Sequence, residues 1–368
     1  MRIIHAADFH LDSPFDGLTP RQAVERRAEQ RDILERLEEL ARSTGAELLL
    51  LSGDLLDGER VYYETAEALK CSLGRLGIPV FIAPGNHDPY TARSSYAQSG
   101  WPDNVHIFRS GQIESVELPG LNAVVHGSAF TAPDRSDSPL RGFAAPGDGR
   151  LHLMVLHADV DGRSDGRYCP VSQADIAASG LDYLALGHIH ACSGVRYAGG
   201  VPWAYPGCPE GRGFDETGEK GVLCGTVEPG GKASLNFVPL CTRKYQIIEL
   251  PLESEDDGSR IAAKALSRAA RGDLVRFVLT GECGDGGIDL DELQKRCAGH
   301  FYSVSFRDRT RVRQDLWARV NEENLTGLFL RTMRERLDRC KDEEQAALLQ
   351  KAVRFGLAAL ENREDPAP

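Results

Sequence analysis

Five short blocks of metal-capable side chains, each at or just beyond the end of an apolar run, constrain this chain more than any other feature. They are Asp8-Phe9-His10, Gly53-Asp54, Gly85-Asn86-His87-Asp88, His157 and Gly187-His188-Ile189-His190. The runs they follow, Arg2–Ala7, Glu47–Ser52, Ile78–Ala83, Leu151–His157 and Tyr183–Gly187, read as short buried strands, and Val105–Phe108 and Ala123–Gly127 read the same way. Helical periodicity separates some of them. Val24, Ala28, Leu34, Leu37 and Leu40 recur at helical spacing within Arg21–Ser43, and a second amphipathic stretch spans Tyr62–Leu76. Strands alternating with helices specify an α/β fold with its sheet buried under helices. In an open α/β sheet the loops at the carboxyl ends of the strands converge on one crevice, so five such loops can pool their side chains.

The pooled set has a definite chemistry. Four imidazoles, two carboxylates and a carboxamide form a mixed nitrogen and oxygen donor set without thiolate, which suits manganese, iron or catalytic zinc rather than a thiolate-bound structural zinc. Seven candidate ligands exceed what one tetrahedral ion takes, and a carboxylate such as Asp54 can bridge two ions held roughly 3.5–4 Å apart. Such a pair acidifies a shared water and clamps phosphoryl oxygens as negative charge builds on them, which is what phosphoester hydrolysis requires. Strand-end histidines and helix-capping aspartates are common singly. Five such blocks in order are not explained that way.

Composition sets the surroundings. A chain of 368 residues is long enough for two or three domains. With 41% hydrophobic and 27% charged residues it is an ordinary globular sequence, which excludes disorder. The net charge of -12 argues against a protein that coats nucleic acid by bulk electrostatics, but not against a nucleic-acid enzyme whose positive charge is supplied locally. No run of 18 apolar residues occurs, and the first ten residues carry Asp8 and two histidines where a signal peptide needs an apolar core, so a cytoplasmic protein without a membrane role is expected. Nine cysteines without a CxxC pair read as reduced, mostly buried thiols.

Beyond Gly194 the pattern turns to hairpin chemistry, with Pro229-Gly230-Gly231-Lys232 between Val222–Val227 and Ala233–Val238. A small α+β module is expected next: strand Tyr245–Leu250, helix Ile261–Arg271, strand Leu274–Thr280, helix Leu290–Cys297 and strand Ser303–Arg307. Asp315–Ala359 reads as two helices broken near Lys341–Asp342. The expected division is residues 1–240, a catalytic core; 241–310, an α+β capping domain; and 311–368, a helical tail.

The ordered series of blocks resembles the complete signature of the calcineurin-like metallophosphoesterases over the first 190 or so residues. The resemblance implies a layered α/β/β/α sandwich. It implies one ion held by Asp8, His10, Asp54 and His190, and a second held by Asp54, Asn86, His157 and His188. His87 would face the scissile phosphate and protonate the leaving oxygen, with Asp88 as its orienting partner. The opening Ile4-His5-Ala6-Ala7-Asp8-Phe9-His10-Leu11-Asp12-Ser13-Pro14-Phe15 and the later Glu216-Thr217-Gly218-Glu219-Lys220-Gly221 are similar to the SbcD/YhaO branch, nuclease subunits of double-strand-break repair complexes. That similarity implies two manganese ions, DNA ends or single-stranded regions as substrate, a homodimer, and an SMC-like ATPase of the YhaN type as partner. A phosphatase or small-molecule phosphodiesterase of the same fold, and a mainly structural DNA-bridging subunit, are the alternatives.

Three features each leave two readings open. Asp57, where several such nucleases carry a histidine, either orients a metal ligand or caps the next helix. Arg307, Arg309, Arg311 and Arg313 alternate, so an extended chain would put all four on one face, to track a phosphate backbone or simply to meet solvent. The apolar face Leu316, Val320, Leu325, Leu328, Phe329, Met333 and Leu337 either packs on the chain's own core or docks on a partner.

Overall fold

Successive side chains of a strand point to opposite faces, so the uninterrupted aliphatic runs of this sequence need cover on both sides. A computed structural model shows how they obtain it; it describes residues 1–59, 61–98, 100–162, 166–284, 287–312, 317–340 and 342–360. The chain runs β1 (Arg2–Ala6), α1 (Pro20–Thr44), β2 (Leu48–Leu51), α2 (Tyr63–Arg75), β3 (Val80–Ile82), β4 (Val105–Ile107), β5 (Glu114–Leu118), β6 (Ala123–Gly127) and β7 (Leu151–His157). It continues through β8 (Asp159–Val160), β9 (Pro170–Val171), α3 (Gln173–Ala178), β10 (Tyr183–Gly187), β11 (Arg196–Ala198), β12 (Val201–Ala204), β13 (Gly221–Glu228) and β14 (Lys232–Pro239).

Two six-stranded sheets result, in the orders β14-β13-β1-β2-β3-β4 and β11-β12-β10-β7-β6-β5. Strands β1 to β4 are mutually parallel, as are β6, β7, β10 and β12, while the β13–β14 hairpin and the edge strands β5 and β11 pair antiparallel. Alternation then sorts the side chains into layers. Ile3, Leu48, Leu50 and Phe81 face Leu151, Leu153, Val155, Tyr183 and Ala185 between the sheets. On the other face of the first sheet, Ile4, Leu49, Leu51 and Ile82 pack against Ile33, Leu34 and Leu37 of α1 and Leu69 and Leu73 of α2. On the far face of the second, Met154, Leu156, Leu184, Leu186 and Trp203 pack with Ile176 of α3. The architecture is the expected α/β/β/α sandwich. Helix α1 starts where its chemistry says: Thr19 and Gln22 form a capping box, Pro20 holds the first turn, and Gly45 ends it at φ 64°.

The remaining strands, β15 (Tyr245–Leu252), β16 (Leu274–Cys283), β17 (Ser303–Asp308) and β18 (Arg311–Val312), form a third sheet in the order β15-β16-β17 with β18 on β16. Helix α4 covers Gly258–Leu266 rather than Ile261–Arg271, because Asp257 accepts the Arg260 amide and so begins the helix earlier. Helix α5 (Leu290–Cys297) lies where expected. The arginine run is interrupted at Arg309–Thr310, so Arg307 and Arg311 belong to different strands, and Arg313 lies outside the described residues. Helices α6 (Leu325–Arg339) and α7 (Glu343–Leu360) pack on each other through Leu330, Met333, Val353 and Leu357. The chain divides into two compact units, Met1–Ile248 with Leu266–Phe277 and Cys297–Ser305, and the rest. All nine cysteines are free. No helix among the described residues is long and apolar enough to cross a membrane.

Candidate metal centre

The loops that leave β1, β2, β3, β7 and β10 at their carboxyl ends carry all five blocks, and their backbones lock one another in place. Asp8 N–H donates to Gly53 O at 3.0 Å and His10 N–H to Asp54 O at 2.9 Å. Asp8, His10 and Asp54 hold φ values of 56°, 45° and 50° and His188 one of 106°. Non-glycine residues in such conformations cost of order 1–3 kcal/mol each and persist where surrounding contacts over-determine them, which is typical of functional sites. Two glycines make the close approach possible. A Cβ on Gly187 would lie 1.8 Å from Ser52 O, and one on Gly85 2.2 Å from Asp54 Oδ1.

The donor atoms converge in overlapping groups: Asp8, His10 and His190; His10, Asp54 and His87; and Asp8, Asp54 and His157. The tautomers decide what those groups can accept. His10 Nδ1 donates to Asp57 Oδ1 at 3.1 Å, and His190 Nδ1 donates to Glu216 Oε1 at 2.6 Å. Each imidazole therefore turns a bare Nε2 lone pair inward, and the two Nε2 atoms face each other at 3.2 Å. His157 repeats the pattern. Its Nδ1 donates to Ser52 O at 2.9 Å, leaving Nε2 2.9 Å from Asn86 Oδ1 and 3.4 Å from Asp54 Oδ2, both of them acceptors. Lone pairs crowded this way repel unless a cation lies among them, so the residues present fit a metal centre, with carboxylate and carbonyl groups behind the histidines as metal sites require.

Electrostatics agrees. Burial, then the neighbouring Asp54, pushes Asp8 well above the ordinary carboxylate range. Asp54 is also pushed up by burial, but His157, His10 and His87 outweigh that and hold it low. Burial lowers His10 and His157 against the opposing pull of Asp54, and lowers His188 to about 4, which favours the neutral form that can ligate. His188 contributes twice: its backbone N–H donates to Asp8 Oδ1 at 3.0 Å, and its ring lies 5.3 Å from that of His157.

His87 differs from the rest. Its side chain is 48% exposed, its N–H donates to Asp54 Oδ1 at 2.9 Å, and its Nδ1 lies 3.4 Å from Asp57 Oδ1. The Asp57 carboxylate raises its pKa, favouring the imidazolium. The carboxylate contact expected from Asp88 is thus made by Asp57. Asp88 is buried beneath the loops, where its oxygens accept N–H groups of Asp54, Leu55, Leu56 and Gly85 and the Tyr96 hydroxyl. Five donors aimed at one carboxylate leave it nothing to offer His87. Nor does Asp57 cap the next helix: Asp12 takes that place, accepting Tyr62 N–H and Thr65 Oγ1–H. Glu216 and Arg212 were given no role by the sequence; the spacing of Glu216 after the last block was the available signal.

Residues 1–192 match the family model described as calcineurin-like phosphoesterase. The Bacillus subtilis (strain 168) protein named Uncharacterized metallophosphoesterase YhaO is 34% identical over 241 residues, 62% of this chain and 58% of its own length. The DNA double-strand break repair protein Mre11 of Methanopyrus kandleri is 23% identical over 322 residues, 80% of this chain and 67% of that protein. The SbcD component of the Bacillus subtilis (strain 168) nuclease SbcCD is 24% identical over 288 residues, 66% of this chain and 71% of that protein. The chain thus spans little more than half the length of the first of these relatives.

Proposed function

Since the chain belongs to the calcineurin-like phosphoesterase family, whose members hydrolyse phosphoesters at a metal centre, we propose that it is a DNA nuclease of the SbcD/YhaO type. The observation that carries the reading is the pair of inward lone-pair clusters sharing Asp54. Asp8, His10, Asp54 and His190 would hold one divalent ion and Asp54, Asn86, His157 and His188 the other, manganese by preference given the hard oxygen and imidazole donors. Ions bound there supply Lewis acidity toward the phosphoryl oxygens and acidify a water at neutral pH. The protein does the rest. Asp57 and Glu216 fix the imidazole tautomers, and the cleft floor held by Asp88 keeps Asp54 rigid. His87, exposed and with its imidazolium form favoured by Asp57, is placed to donate a proton to the departing sugar oxygen.

The wider assignments rest on the same reading. The relatives' names, a double-strand break repair protein and a component of a nuclease, support DNA as substrate and work in a complex. Leu325 and Leu328 of α6 and Leu348 and Phe355 of α7 are exposed although the helices are already packed together, and they are proposed to dock on an SMC-like ATPase. The division into a core, residues 1–240, a DNA-contacting cap, 241–310, and a docking tail, 311–368, belongs to this proposal, as do a homodimer and a cytoplasmic role in repair.

The test is degradation of end-labelled single-stranded and linear duplex DNA with Mn²⁺ by wild type, His87→Ala and Asp54→Ala. Shortened products from wild type, reduced about 10²-fold or more by His87→Ala and abolished by Asp54→Ala, are expected. Intact DNA alongside hydrolysis of bis(p-nitrophenyl) phosphate would move the substrate to a small phosphodiester.

A further inference from the structure

The metal centre is acidic: Asp8, Asp54, Asp57 and Glu216 surround the point where an anionic phosphate must arrive. Among the described residues Arg212 is the cation that reaches its acidic side chains. The Arg212 guanidinium donates from Nη2 to Glu216 Oε1 at 2.9 Å and approaches the same oxygen with Nε at 3.3 Å. Nη1 lies 3.8 Å from Asp57 Oδ1, the oxygen that also contacts Nδ1 of His10 and of His87. Among the described residues Nη1 has no hydrogen-bond acceptor of its own at normal distance, and the side chain is 22% exposed. A charged donor beside His87 is therefore left uncommitted.

We propose that Arg212 is the phosphate clamp of this enzyme, its Nη1 donating to a non-bridging oxygen of the scissile phosphodiester beside His87. The proposal rests on the phosphodiesterase reading above and deepens it by naming the residue that binds the reacting group. Arginine suits the task because its planar fork can hold a carboxylate on one edge while offering N–H groups of another to phosphate, and it never loses its charge. Nη2 also lies 3.2 Å from His190 Nδ1, so that edge of the fork is taken up by Glu216 and His190, and Nη1 is the edge left for phosphate.

The fold fixes the donor before substrate arrives. Arg212 N–H donates to Glu216 Oε2 at 2.7 Å, closing a tight loop on its own ion-pair partner. Gly211 O accepts from Arg26 Nη2 at 3.0 Å, and Glu210 accepts from Arg26 and from Thr242 N–H. Arg26 and Glu210 are fully buried, so the segment Glu210-Gly211-Arg212 is tied to α1 by a cation that cannot swing away. The other cation near His190, Lys220, is occupied, with Nζ donating to His190 O at 3.2 Å. A preorganised donor costs no reorganisation when charge develops on the phosphoryl group.

Calorimetric titration of inorganic phosphate into the Mn²⁺-saturated full-length chain tests this with wild type, Arg212→Gln and Arg212→Lys, alongside titration of Mn²⁺ into each metal-free protein. Loss of one charge-assisted hydrogen bond should weaken phosphate binding about 10-fold or more in Arg212→Gln and less in Arg212→Lys, with Mn²⁺ affinity little changed. Phosphate affinity equal to wild type at saturating Mn²⁺ would overturn the clamp, and a loss confined to Mn²⁺ affinity would make Arg212 only a support for Glu216 and His190. Wild type that fails to bind phosphate would also overturn it. Phosphate bound through Arg212 by a protein that leaves DNA intact would retain the clamp and retire the nuclease.

Discussion

Asp54 is the most constrained side chain of the centre. Its Oδ1 accepts the His87 amide, its Oδ2 faces His10 and His157, its own N–H is held by Asp88, and the loop beside it is open only because residue 85 is glycine. Gly85→Ala puts a methyl group 2.2 Å from Oδ1 and 2.7 Å from the Asp54 nitrogen, so the carboxylate must move. Displacements of that size at a reacting centre cost on the order of 10² in rate, and a comparable fall in kcat with weakened Mn²⁺ binding is expected. Asp88→Asn makes a separate prediction: it turns an acceptor of four backbone N–H groups into a partial donor, so denaturant unfolding should show a loss of about 2–3 kcal/mol, and normal stability would mean the loops are held by something else. The ligand blocks were legible in the sequence because each is a local pattern whose meaning survives without coordinates. Asp57 was half legible, orienting a metal ligand being one of its two readings, whereas Arg212 and Glu216 were not, since their roles depend on which imidazole each loop brings within reach. Asp88 was misassigned to His87 because adjacency in sequence does not show that its side chain turns beneath the loops.

At the scale of elements, the edge of the second sheet carries a polar relay distinct from the metal centre. Ser115 on β5 bonds His126 Nδ1 on β6, His126 Nε2 meets His152 Nδ1 on β7 at 3.0 Å, and His152 Nε2 meets Asp148 Oδ1 at 3.0 Å. Burial, then His152 and Arg150, lower the His126 pKa to about 4 against the opposing pull of Asp148. Phe143 closes the apolar side. The unfolded chain, with an imidazole near pH 6.5, takes up the proton first, so the stability this histidine confers is complete above pH 6.5 and is lost as pH falls toward 4. Between pH 6.5 and 5 the wild type should lose about 1–2 kcal/mol by this route, and His126→Gln should flatten that slope in denaturant melts at each pH. An unchanged slope would assign acid sensitivity elsewhere. The two ends of this sheet are also where sequence reading was weakest. Strand β5 carries Glu114 and Glu117, residues that strands disfavour, and β12 contains Pro202, which lacks the N–H a ladder uses; pairing with β6 and β10 overrides both. The strands of the central sheets, aliphatic on both faces, were legible because burial on two sides leaves a continuous apolar signal.

For the whole molecule, the centre stores repulsion that bound cations relieve. Asp8 and Asp54 crowd each other, three imidazole lone pairs face acceptors or one another, and four non-glycine residues sit at positive φ around them. All of this lies at the carboxyl ends of strands β1, β2, β7 and β10, which belong to both sheets, so its relief should register in global unfolding. A ligand that binds only the folded state stabilises by about 2.7 kcal/mol per site at 100 times its Kd. With two sites, excess Mn²⁺ over a chelator-treated sample should raise the Tm on the order of 10 °C. The control separates relief of repulsion from generic ion binding. Asp54→Asn removes the charge shared by both clusters, so its chelator-treated form should melt no lower than chelator-treated wild type, because strained catalytic groups are held at the expense of stability. Its Mn²⁺-induced rise should largely vanish. A full rise in Asp54→Asn, or a chelator-treated variant several degrees below wild type, would show that Asp54 is a structural support and that the cations bind elsewhere.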